Sequence, residues 1–110
     1  MSSTRRKKSN RADGYVGILA VDIHFPENGS LKDKRQFLRG LKANLIRKFG
    51  ASVAEVGYHE LWQRTRLVLS LSSSSCSELE QSLGRMVGFI ESRDCRLSTV
   101  QKEIIKMEGD

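Results

Sequence analysis

Asp22 and His24 stand two residues apart in the run VDIH, and Glu55 follows in SVAEV. A carboxylate, an imidazole and a second carboxylate on one sheet face are the minimum of acid–base machinery. Such a trio is more often a hydrogen-bonded patch, and nothing else in the chain points to catalysis. His24, His59, Cys76 and Cys95 lack metal-ligand spacing. Neither a Gly-rich phosphate loop nor a nucleophile elbow is present. The sequence therefore leads to no expectation of an enzyme, a cofactor, a metal or a small-molecule substrate.

A second set of residues suits phosphate chemistry. The run SLKDKRQFLRGLKANLIRKFG, residues 30–50, holds seven basic residues against Asp33 alone, and residues 1–13 hold five against Asp13. The net charge of +6 thus sits in a tail and one segment, a distribution that favours a polyanion such as RNA. Ser30 and Asp33 have the spacing of a helix start, yet Lys32, Lys34 and Arg35 crowd those first turns, where the helix dipole disfavours cations. Free amide N–H groups at a helix start bind anions, so a bound phosphate would offset that term. The alternative is that Lys34 and Arg35 lay their stems over the core edge and pair with Asp22, Glu55 or Glu60.

The elements that would position these residues follow from periodicity. Tyr15 to Phe25 alternates, with Tyr15, Gly17, Leu19, Val21, Ile23 and Phe25 on one face and Val16, Ile18, Ala20, Asp22 and His24 on the other. Pro26 and Gly29 then mark a turn. Leu31 to Phe49 carries a helical stripe of Leu31, Leu38, Leu41, Leu45 and Phe49, ended by Gly50. Residues 51–58 and 65–72 read as a strand pair joined through HELWQR. A second helix follows the serine run, capped by Ser75 with Glu78 and striped by Leu79, Leu83 and Ile90. Residues 97–107 read as a last strand. This β-α-β-β-α-β order predicts an α+β, ferredoxin-like sandwich spanning residues 14–108, with two helices on one face of a four-stranded antiparallel sheet. Residues 1–13, almost devoid of apolar side chains, read as a disordered basic tail.

In the usual strand order of that fold, 4-1-3-2, Asp22, His24, SLKDKR, HELWQR, Arg64, Arg66, Arg93 and Arg96 converge on one rim. The expected nucleic-acid contacts there are Lys32, Lys34, Arg35, Arg39, Trp62, Gln63, Arg64 and Arg66. Trp62 is either a stacking surface for a base or a hairpin residue folded back on the core. On the helix-free face, Ile18, Ala20, Val53 and Val68, together with Val16, are expected to form an apolar interface for a second copy or another protein. No apolar run approaches a membrane span, no secretory signal opens the chain, and two cysteines without paired spacing suit a reducing, cytoplasmic setting.

VDIH at residues 21–24, SLKDKR at 30–35, VAEV at 53–56 and LWQR at 61–64 together resemble the small bacterial YlxP-like family, a domain of unknown function. The resemblance runs from about Tyr15 through Ile105. It implies a ferredoxin-like fold and a gene setting among translation initiation and ribosome maturation factors, hence an RNA or ribosome connection. It implies no catalytic residues.

Overall fold

The structure, a computed structural model, describes residues 12–26 and 29–109, so the expected tail falls almost wholly outside the described residues. Strand β1 spans Gly14–His24, helix α1 Leu31–Phe49, β2 Ser52–Gly57, β3 Arg64–Ser73, helix α2 Cys76–Glu91 and β4 Arg96–Met107. The four strands form one antiparallel sheet in the order β2-β3-β1-β4, and both helices cover the same face, giving the ferredoxin-like sandwich.

Local chemistry sets the helix bounds. Ser30 Oγ accepts a hydrogen bond from the Asp33 N–H at 3.1 Å, and Ser75 Oγ accepts one from Glu78 N–H at 3.2 Å. Each hydroxyl satisfies an amide that helix geometry leaves without a partner. Gly50, at φ 69°, closes α1 with its N–H donating to the Ile46 carbonyl at 2.9 Å.

The core is one layer between sheet and helices. Leu19, Val21 and Ile23 of β1 and Leu67 and Leu69 of β3 meet Leu38, Leu41 and Leu45 of α1 and Leu79, Leu83, Met86 and Ile90 of α2. Gly17 lies on this inner face because α2 runs close over it. A Cβ there would come within 2.8 Å of Leu83 Cδ1 and 3.0 Å of Leu79 Cδ1.

Register corrects one expectation about the outer face. Directly paired residues in an antiparallel sheet share a face. Val53 pairs with the buried Leu69 and packs against the core, so it points under the helices rather than outward. Ala54, opposite Val68, takes the outer position that Val53 was expected to hold. The helix-free face thus carries Val16, Ile18 and Ala20 of β1, Val68 of β3, Ala54 of β2 and Ile105, which is paired with Val16, of β4.

Candidate nucleic-acid interface

The C-terminal end of β1 is where the chain gathers its polar side chains. His24 pairs with Arg64 on one side and Arg96 on the other, and Asp22 pairs with Arg66. Arg66 Nη1 donates to Asp22 Oδ1 at 3.0 Å and its Nη2 to Gln101 Oε1 at 2.8 Å, while Arg64 Nη2 lies 3.7 Å from Asp22 Oδ2. Asp22 is only 7% exposed, so its charge is balanced inside this patch rather than offered to water. Gly57 is the β2 partner of Arg66. Arg64 covers the Tyr58 ring, its guanidinium carbon 3.9 Å from the ring centroid.

Glu55 is not part of this patch. It pairs with Leu67, which is buried beneath the helices, whereas Asp22 and His24 lie on the helix-free face. The sheet separates Glu55 from Asp22 and His24, so the three do not form an acid–base trio.

Glu55 instead belongs to a buried junction between α1 and the β2–β3 hairpin. Lys34 is 3% exposed, and its Nζ donates to the Tyr58 carbonyl at 2.7 Å and the Leu61 carbonyl at 2.6 Å. The Glu55 carboxylate lies 3.5 Å from the same ammonium and accepts from Thr65 Oγ1 at 3.0 Å. Two hydrogen bonds and an ion pair together satisfy the ammonium, which is what a buried lysine requires. Tyr58 is the one non-glycine residue with positive φ, 63°, among the described residues. Its carbonyl accepts from both Lys34 and the Leu61 N–H, contacts that hold an otherwise unfavourable backbone in place. Lys34 therefore leaves the set of expected phosphate contacts: its charge is consumed inside the protein.

Trp62 also folds back. Its Cε3 and Cζ3 lie 3.4 Å from the position a Gly29 Cβ would occupy, so the indole lies against the β1–α1 connection. Together with Phe25, Phe37 and Asp33 it borders a cleft of about 390 Å³. Gln63 is exposed, and its carbonyl accepts the Phe25 N–H at 2.7 Å, tying hairpin to strand end.

What remains at the surface is a stripe on α1. At 100° per residue, Lys32, Arg35, Arg39 and Lys42 fall within about 80° of one another and about 110° from the centre of the buried set Lys34, Leu38, Leu41 and Leu45. Lys32, Arg35 and Arg39 are exposed and Lys42 is half-buried. Their span of ten residues is about 15 Å. Among the described residues no carboxylate lies within ion-pair distance of any of the four. Lys42 was missed in the sequence, although its spacing of i+3 from Arg39 signals it. The expected rim therefore divides: Arg64 and Arg66 lie on the helix-free face, Lys34 is turned inward, Trp62 lies half-buried against the β1–α1 connection, and the α1 stripe faces outward.

Elsewhere, burial and the neighbouring Asp94 charge push the Cys95 thiol up from 9.0 to about 11, with Arg93 acting in the opposite direction. Its Sγ points to the Ile90 carbonyl at 3.5 Å. Among the described residues no helix is long and apolar enough to cross a membrane.

Comparison with known proteins places the chain. The family described as "Protein of unknown function (DUF503)" matches residues 16–103. "Uncharacterized protein YlxP" of Bacillus subtilis is 35% identical over 77 residues, covering 70% of this chain and 84% of that protein. Among solved structures, a VAO-type flavoprotein of Myceliophthora thermophila superposes with a TM-score of 0.52 at 15% identity, over 84% of this chain but only 16% of the flavoprotein. Protein YJCS superposes with a TM-score of 0.50 at 5% identity, over 80% of this chain and 96% of that one. At such identities the likeness concerns the fold alone.

Proposed function

The chain belongs to the DUF503 family, and for it we propose a non-enzymatic accessory module that binds RNA, free or within the ribosome, through phosphates aligned on Lys32, Arg35, Arg39 and Lys42. One observation carries this reading: the four cations share a sector of α1 with no carboxylate partner among the described residues. Lys32 and Arg35, Arg35 and Arg39, and Arg39 and Lys42 are like-charge neighbours at i+3 or i+4. Each such pair destabilises an isolated helix by about 0.2–0.5 kcal/mol. A polyanion lying along the stripe turns that repulsion into attraction, with counterion release as the driving force. Arg64 and Arg66 lie on the other face with Asp22 between them.

RNA affinity of an Arg35→Glu/Arg39→Glu variant, measured across a salt series, tests the reading. The expected result is weaker binding and a flatter salt dependence; unchanged affinity and slope would remove α1 from the interface.

The helix-free face supports a second reading, a two-fold dimer. Val16, Ile18, Ala20, Ala54, Val68 and Ile105 gather there, and Ile105 is 43% exposed. Strands of eleven, six, ten and twelve residues, about 4.8 Å apart at about 3.3 Å per residue, give a face of roughly 600 Å², the charged Asp22, Arg64 and Arg66 end included. That is at the low end of the roughly 600–1,000 Å² per partner of a standard interface. Sedimentation over a concentration series tests it. Ile18→Lys is expected to convert a dimer to monomer, and a wild-type chain that stays monomeric throughout ends the reading.

A further inference from the structure

The flank of α1 away from the basic stripe has the opposite character. Asp33 and Phe37, about 40° apart around the helix, lie on the other side of the buried set from Lys32, Arg35, Arg39 and Lys42. They border the cleft of about 390 Å³ together with Phe25 at the end of β1, Trp62 of the hairpin and Asp94 of the α2–β4 turn. Phe25, Phe37 and Trp62 are all half-buried, and the two phenyl rings stand 78° apart at 5.3 Å between centroids. The cleft therefore has apolar aromatic walls from three separate elements and the volume of a small-molecule site.

Its two carboxylates come from different elements and are both exposed. The chain has nineteen lysines and arginines, yet among the described residues neither Asp33 nor Asp94 makes an ion pair or a side-chain hydrogen bond. The cation–ring contacts of the described residues likewise fall elsewhere, on Tyr58 and Phe89. Aromatic rings and carboxylates both attract cations, and here no cation of the described residues answers either. An aliphatic amine suits this set, because its methylenes can cover the rings while its ammonium groups go to the carboxylates. Two carboxylates with an apolar wall between them call for two ammonium groups on one chain.

We propose that this cleft binds a free aliphatic diamine or polyamine, one ammonium at Asp33, another at Asp94, and the methylene chain against Phe37 and Trp62. The site lies apart from the stripe and does not depend on the phosphate reading.

Trp62 is the single tryptophan of the chain, so its emission reports on the cleft. The full chain is titrated at constant ionic strength with butane-1,4-diamine, spermidine, butylamine, magnesium chloride and guanosine, by Trp62 emission and by isothermal titration calorimetry. Saturable binding of butane-1,4-diamine or spermidine, at least tenfold tighter than butylamine, is expected. Asp33→Asn/Asp94→Asn, and each single variant beside it, is measured with circular dichroism to show that the fold is kept; the double variant is expected to bind the same amine at least tenfold more weakly. No saturable signal from either amine by both methods overturns the proposal. Butylamine or magnesium bound as tightly as the diamine and spermidine also overturns it, since one charge would then suffice or the carboxylates would serve a metal ion. Guanosine that saturates where the amines do not shows that the cleft takes a base and overturns it too. Folded variants that bind the amine as well as wild type remove the two carboxylates from the site and with them the proposal.

Discussion

Lys34 and Arg35 are adjacent in sequence and carry the same charge, yet they occupy opposite environments. Lys34 is enclosed by two carbonyls, a carboxylate and the hairpin, while Arg35 stands in water among other cations. The difference teaches that the cluster at the start of α1 does two separate tasks. Its inward member ties helix to hairpin, and its outward members, spaced along the helix, make the basic stripe. The unfavourable position of positive charge at a helix start is relieved for Lys34 by Glu55 and the backbone dipoles of the hairpin. For Lys32 and Arg35 no such relief exists among the described residues.

The largest expected effect comes from breaking the inward half. Lys34→Ala leaves Glu55 without its cation and two hairpin carbonyls without a donor, and we expect a loss of about 3 kcal/mol in urea unfolding. A loss below about 1 kcal/mol would show that Lys34 only fills space. The half-buried Cys95 sharpens the same contrast by chemistry. With its pKa about two units above the ordinary 9.0, native-state alkylation at pH 8 should run about a hundredfold slower than for a free thiol. Because the fold favours the protonated thiol, its stabilising contribution is intact below about 9 and lost as pH rises towards about 11. Rapid labelling at pH 8 would show that the thiol is open to water.

Ser30→Ala removes the cap on the Asp33 amide and should destabilise by about 1 kcal/mol, read as a shift in the unfolding midpoint with unchanged slope. Arg35→Gln/Arg39→Gln is the smallest in stability, within about 0.5 kcal/mol of wild type, because it removes like-charge neighbours without opening the core. A loss of more than 1 kcal/mol would mean that these arginines support the fold, and the contrast with Lys34 would vanish.

Much of the architecture was legible from local pattern. The bounds of α1, its Ser30 cap and its Gly50 terminus are written in adjacent residues, as is the alternation of β1. The order of elements led to the observed sheet order, because a split βαβ unit has few ways to pack. The site was legible only in part. The sequence does not fix the face of Val53, because a one-residue change of phase in a short strand inverts every side chain and only pairing with Leu69 sets that phase. The supposed trio of Asp22, His24 and Glu55 failed for the same reason. The sequence leaves Trp62 open between two roles because its choice depends on Gly29, far away in the chain.

From the sequence alone come the helices, the strands, their caps and the concentration of positive charge, since each rests on residues within one or two turns of one another. The tertiary structure decided which charges that concentration actually shows to a partner. Lys34 finds its acceptors 24 and 27 residues away, at distances in the chain that no local periodicity reports. A long, flexible side chain at the edge of a core goes where its donors are satisfied, and only the folded chain brings those acceptors within reach.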